Sequence, residues 1–444
     1  MSSAESLGSQ LPLWSAVPFV VLLGAIAGFE IFFPNWWGSL RNKAVVALAV
    51  ATPAAVPLLA LGSDGRHALA HSLTDYVSFI ALLTALFVVA GGIEVRGSLA
   101  GTPLANTAML GIGALSANLV GTTGAAMVLI RPFLRANNER GRRAHLIIFF
   151  ILIVANSGGL LTPLGDPPLY LGFLRGVPFT WTLNLWLPWL IVNGLLLLIF
   201  AVVDHLMLAR DQRERQDEPM QGLTKHEPVR VHGLRNVVIL GAIVAVILAS
   251  GTGLGNGGQP WPTWLQGLLL AGLALLSYLL TPGRIHAANQ FSLHPMAAVA
   301  VLFFGIFVAM TTPLVLLNAH ADELGLVHSW QFFWTAGGLS AVLDNAPTYL
   351  SFASVAAGQE GIATDGAYLH NLIATDRGAS LVSAISVGAV CMGSLTYIGN
   401  GPNLMVREIA VHRGIRMPSF FAYAFAATAI LGPILVLITL IFYV

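Results

Sequence analysis

The chain has 444 residues, 56% of them hydrophobic and 9% charged, with a formal net charge of +1. Soluble proteins carry about 25% charged residues, so a water-facing globule is excluded, and no basic tract points to nucleic acid. The single cysteine, Cys391, excludes an internal disulfide and a cysteine-based metal cluster.

From the N-terminus, the tail MSSAESLGSQ lacks the basic region of a cleavable signal peptide, so none is expected. The first apolar run, 14–33, is of spanning length, and Arg41 and Lys43 follow it, which puts the N-terminus outside by the positive-inside rule. Spans at 43–62 and 74–93 come next, with an external loop at 63–73. Block 103–134 is too long for one crossing: as a single helix of roughly 31 residues it would stretch about 46 Å across a hydrocarbon core of about 30 Å. Its middle reads Gly121-Thr122-Thr123-Gly124, so a re-entrant helical hairpin entered from inside is expected. Arg131, Arg135, Arg140, Arg142 and Arg143 mark its far flank as cytoplasmic.

A discontinuous span at 144–174 and a span at 182–208 complete a first half, 1–208. A cytoplasmic linker, 209–235, carries Arg210, Arg213, Arg215, Lys225, Arg230 and Arg235 and reads as a solvated connector with a turn or two of helix. The second half, 236–444, opens with spans at 236–252, 262–281 and 293–317. Block 326–356 repeats the hairpin pattern around Asp344-Asn345-Ala346-Pro347, and its acidic flanks (Asp322, Glu323, Glu360, Asp365, Asp376) open it from outside. A second discontinuous span, 379–406, and a last span, 419–443, follow. Arg407, Arg413 and Arg416 between them lie inside, which leaves the C-terminus outside. The expectation is an all-α polytopic protein of the inner (plasma) membrane with about ten spans, two of them discontinuous, and two re-entrant hairpins. The halves form an inverted repeat, because their hairpins open from opposite sides.

The two discontinuous spans share a template: GLLTPLGDPPLY at 159–170 and GSLTYIGNGPNL at 393–404, identical at five of twelve positions, with Asp166 facing Asn400. Duplicated, interrupted apolar segments in two halves of a membrane protein point to the binding site of a secondary transporter. Asp166 before Pro167 also reads as a helix cap, yet a carboxylate at mid-bilayer costs about 2.5–3.5 kcal/mol on insertion scales, and Asn400 makes the cheaper choice. Asp344 and Asn345 open the outgoing arm of the second hairpin with Thr348 close by; Asp344 is the strongest single candidate, since non-helical backbone at membrane depth lines a cavity or is buried in protein. Asn118, Thr122 and Thr123 at the first tip, and Asn156, Thr162, Thr396, Asn400 and Asn403 at the breaks, add neutral oxygens. Asp166 and Asp344 are the expected sodium ligands. Glu30 and Glu94 read as interfacial, Asp204 and His205 as boundary residues, and Trp36, Trp37, Trp181, Trp261 and Trp264 as belt residues. His145 opens a span on the cytoplasmic side, with a proton role as its minor reading.

At GTTGAA (121–126), LTPLGDPPL (161–169), LDNAPT (343–348) and LTYIGNGPN (395–403) the chain resembles the ion transporter superfamily, most closely its NhaD-type sodium/proton antiporters. The resemblance covers nearly the whole length. It implies a homodimer in which scaffold helices stay put while a transport domain moves elevator-fashion. It also implies ion sites at Thr122, Thr123 and the Asn156–Asp166 break, and at Asp344, Asn345, Thr348 and the Thr396–Asn403 break. The Ser-Asn-Thr triplet of carboxylate symporters is absent from both tips, and Asp344 in its place would repel a dicarboxylate or citrate.

The leading expectation is sodium/proton exchange with no cofactor beyond the transported ions. Burial favours the neutral acid and a nearby cation the carboxylate, so one carboxyl holds a proton or a sodium ion but not both. A sodium-coupled citrate or dicarboxylate symporter, or an oxyanion permease, is the alternative. A non-transporting subunit or an intramembrane enzyme is the third reading; no Ser/His pair or HExxH motif supports catalysis, and an enzyme is not expected.

Overall fold

The computed structural model describes residues 10–98, 101–214, 227–257, 259, 261–364 and 366–444. The polar tail 1–9, the middle of the linker (215–226) and Asp365 lie outside the described residues. The fold is that of an all-α polytopic membrane protein. Among the described residues eleven helical segments are long and apolar enough to cross a membrane. Ten coincide with the expected spans, and the eleventh is the block at 103–134.

In chain order the long elements are α1 (Val17–Phe32), α2 (Leu40–Ala60), α3 (Ser63–Gly91), β1 (Glu94–Ser98), α4 (Pro103–Ala136), α5 (Ala144–Ile153), α6 (Pro167–Leu174) and α7 (Trp186–Glu214). After the linker come β2 (Glu227–His232), α8 (Leu234–Thr252), α9 (Thr263–Leu280), α10 (His294–Ala319), α11 (Ser329–Ser340), α12 (Asn345–Gln359), α13 (Asp376–Met392), α14 (Gly401–His412) and α15 (Phe420–Phe442). Their starts follow local chemistry. Thr102 caps α4 ahead of Pro103, and Thr375 and Ser419 accept from the first-turn N–H groups of α13 and α15.

Three expectations change. Segment 63–73 is not a loop, because α3 already begins at Ser63. The linker is not only a connector: Glu227–His232 pairs antiparallel with Glu94–Ser98, with Arg96 opposite Arg230. Trp37 is no belt residue; its ring is buried, and only Trp36 beside it is exposed.

The helices pack as two groups. In one, α10 lies against α1, α2 and α3, while α8 and α9 pack on α3. In the other, α4 packs on the Ser157–Leu161 turn and α11 on α13. The centre of the second group is the most deeply buried part, every side chain from Leu146 to Ile153 being covered. The groups also meet: α10 packs on α12 and α3 on α4, and Phe79 on α3 meets Tyr170 on α6 at 6.3 Å as well as Phe303 on α10, within its own group, at 4.8 Å.

Candidate functional site

Four chain breaks meet in this second group. Gly121 leaves helical geometry inside α4 (φ 76°, ψ 157°), a left-handed region that only glycine enters cheaply. The second break separates α11 from α12, and the third and fourth separate α5 from α6 and α13 from α14. The repeat template has a steric origin. A Cβ on Gly165 would sit 2.0 Å from the Gly159 carbonyl oxygen, and one on Gly399 2.5 Å from that of Gly393. Each break is thus a glycine-on-glycine crossing, and these are identical positions in the two copies. The paired threonines act alike as well: the Thr162 hydroxyl donates to the Asn118 carbonyl and the Thr396 hydroxyl to that of Ala341, each at 2.5 Å.

Asp166 lies where the four breaks converge. It stands just before α6, but its carboxylate caps nothing there. Instead Oδ1 accepts from Thr122 Oγ1 at 2.9 Å and Asn400 Nδ2 at 3.1 Å, and Oδ2 accepts from Asn345 Nδ2 at 2.5 Å. Thr122 follows the Gly121 break in α4, Asn345 opens α12, and Asn400 belongs to the break between α13 and α14. The Thr122 N–H also donates to the Gly165 carbonyl at 2.8 Å. Asn400 reaches Asn156 Oδ1 at 3.1 Å; Asn156 in turn donates to Asn403 Oδ1 at 2.7 Å, and Asn403 to the Gly393 and Thr396 carbonyls. One acceptor is left over: Asn345 Oδ1 is buried without a hydrogen-bond partner among the described residues. No Lys or Arg side chain joins this network among the described residues.

The other expected site residues lie around it. Asp344 is half-buried and caps α12 through the Ala346 N–H at 3.1 Å, and Thr348 donates back to the Asp344 carbonyl. Asp344 is therefore next to the Asp166 network without bonding into it. Asn118 braces the first break, accepting from the Leu161 N–H and donating to the Gly158 carbonyl. Thr123 is half-buried and takes no part in these bonds.

Sequence reading missed the outer supports. Asn193 and Trp189 of α7 clamp the first break at Ser157 and Gly158, and Tyr423 of α15 clamps the second at Ser394. Asp204 is not a boundary residue. It is fully buried and accepts from Arg140, from Asn106 at 2.9 Å, and bonds His145 Nε2 at 2.9 Å. A lone acid inside an apolar span was the available signal. At the opposite end of the bundle, Asp75 pairs with Arg175 at 2.7 Å and His71 at 3.3 Å beside a cavity of about 560 Å³. Tyr368 lines that cavity, and burial pushes its phenol up to about 12.

A family model described as "Putative citrate transport" matches residues 8–443. The chain belongs to this family. Citrate-transport family membership and the membrane-spanning helices together make it a membrane transporter of the ion transporter/citrate-metal transporter group. No curated protein matches the chain.

Proposed function

We propose that the chain is a sodium/proton antiporter of the inner membrane, with Asp166 as the carboxylate for which the two ions compete. The observation that carries this reading is the convergence of four breaks on one buried carboxylate, beside an acceptor oxygen, Asn345 Oδ1, that has no donor among the described residues. Hard monovalent cations take oxygen ligands, and a broken-helix centre offers carboxylate, amide and backbone oxygens together. Proton and sodium exclude one another there: a protonated Asp166 turns one acceptor into a donor and loses the charge a cation needs.

In this reading residues 103–134 and 326–356 are re-entrant hairpins, 1–208 and 236–444 are inverted repeats, and Asp344 supplies a second acid to the same site. In the same reading α4–α7 and α11–α15, which carry the four breaks, are the moving part of an elevator, and α1–α3 and α8–α10 are its frame, within a homodimer. Both termini then lie outside. The test is proton flux in proteoliposomes on addition of Na⁺ or Li⁺ between pH 6.5 and 9. Proton movement that needs Asp166 is the expected result, and silence over the whole range rejects exchange.

A second reading, sodium-coupled citrate symport, is favoured by the family description. It keeps the cation at Asp166 and places the anion at a helix start. Sodium-dependent uptake of labelled citrate, without sodium-driven proton flux, selects it.

A further inference from the structure

The arginine-rich end of the bundle holds a cleft of about 490 Å³ that the transport reading does not use. Gly141, Arg142, Arg143, His145, Met207 and Arg416 are among its lining residues. The charges facing it are unevenly spent. Arg142 is held by Glu214 at 2.5 Å and Asp211 at 3.6 Å, and His145 bonds Asp204. The N–H groups of Gly141 and Arg142 already donate to Asp211. Arg143 and Arg416 have no hydrogen-bond or ion-pair partner among the described residues, so a cavity of ligand size is left with two uncommitted guanidinium groups.

Apolar lanes run from the cleft. On α7, Leu198, Val202 and Leu206 are each more than half exposed and recur every fourth residue, ending beside Met207. On α15, which packs against α7 and starts four residues after Arg416, Phe421 and Phe425 are 80% and 78% exposed, one turn apart. A guanidinium pair where two lipid-facing stripes begin matches a phosphate head with acyl chains below it, and basic pockets between spans on the cytoplasmic side take such headgroups.

We propose that this cleft is a binding site for an anionic phospholipid, its phosphate held by Arg143 and Arg416 and its chains lying along α7 and α15. The site is independent of which ion is transported.

The test is melting temperature and intact-complex mass spectrometry on the full chain in detergent. Dioleoylphosphatidylglycerol, dioleoylphosphatidylcholine and inorganic phosphate are titrated separately. Phosphatidylglycerol is expected to raise the melting temperature and leave a lipid adduct. Arg143→Ala/Arg416→Ala weakens its binding about thirtyfold, two basic contacts at a lipid surface, while Arg284→Ala, an exposed arginine elsewhere, leaves it unchanged. An equal response to phosphatidylcholine, an equal response to inorganic phosphate, or undiminished binding by the double variant each overturns the proposal. Arg143→Lys/Arg416→Lys, which keeps the charge, restores most of the binding.

Discussion

Asp166 offers the sharpest test because two substitutions there separate ion binding from structural support. Asp166→Ala strands three donors, Thr122 Oγ1, Asn345 Nδ2 and Asn400 Nδ2, in a buried site. Each unpaired buried group costs about 1–3 kcal/mol, so a loss of roughly 3–9 kcal/mol follows. Asp166→Asn is different. Its carbonyl can keep the two donors at the Oδ1 position, and its amide can face Asn345, which needs only a half-turn to present the unpartnered Oδ1. Three hydrogen bonds are kept without a buried charge, and the one cost is that Asn345 Nδ2 turns to the place its Oδ1 held, so in sodium-free buffer the Asn variant lies close to the wild type and well above Asp166→Ala. Sodium then discriminates. A ligand at one hundred times its Kd adds about 2.7 kcal/mol to the state that binds it; the wild type gains this and Asp166→Asn does not. The assay is thermal unfolding in detergent, titrating NaCl against choline chloride at fixed ionic strength. An Asp166→Asn protein that keeps the full sodium-dependent stabilisation refutes Asp166 as the ion-binding carboxylate. One that unfolds without sodium as readily as the Ala variant refutes the hydrogen-bond argument.

The remaining predictions concern the frame. Gly165→Ala places a Cβ 2.0 Å from the Gly159 carbonyl oxygen and lowers stability by at least the roughly 1–3 kcal/mol of overpacking, whereas Gly401→Ala, with nothing within 4 Å, is neutral or better; equal melting temperatures would show that the glycine crossing is not rigid. Arg140→Met and Asp204→Asn each leave half of a buried ion pair, costing about 3–5 kcal/mol, and the double variant costs less than their sum; strict additivity in the unfolding free energies would mean that the pair is not coupled. Tyr368→Phe removes a buried hydroxyl with no hydrogen-bond partner among the described residues and leaves the melting temperature unchanged or higher; a drop of several degrees would reveal a partner in another conformation.

Much of the fold was legible because span length and interruption are written in one-dimensional chemistry. Gly121-Thr122-Thr123-Gly124 and the Asp344–Pro347 run mark places where a helix cannot continue cheaply, and the chain departs from helix at Gly121 and between Ser340 and Asn345. The template shared by the two breaks was legible for the same reason: in each, a glycine faces the backbone of the glycine six residues earlier. Which acid occupies the centre was not. Asp344 and Asp166 both precede a helix, and sequence ranks Asp344 first; only side-chain direction separates the one that caps its own helix from the one that gathers donors from three other segments. Asp204 was misplaced because hydropathy at a span's end does not reveal a partner 64 residues away. The β1–β2 pair escaped because its alternation, Val229-Arg230-Val231-His232, repeats only once and sits inside a charged segment.

The two break templates match in their crossing glycines and bonded threonines but differ in charge, and on the proposed reading the difference is useful. Asn400 occupies in the second copy the place Asp166 holds in the first, and the two side chains touch at 3.1 Å. A second acid there would set two carboxylates in direct contact, and like charges sharing a site cannot both ionise. On the proposed exchange reading, a proton shared between them would compete with sodium for the site. Asparagine removes that competitor while supplying a donor to Asp166 and bonding Asn156 Oδ1 on its own side. The glycine crossing is thus built at both breaks, whereas the carboxylate that gathers Thr122, Asn345 and Asn400 stands at one of them only.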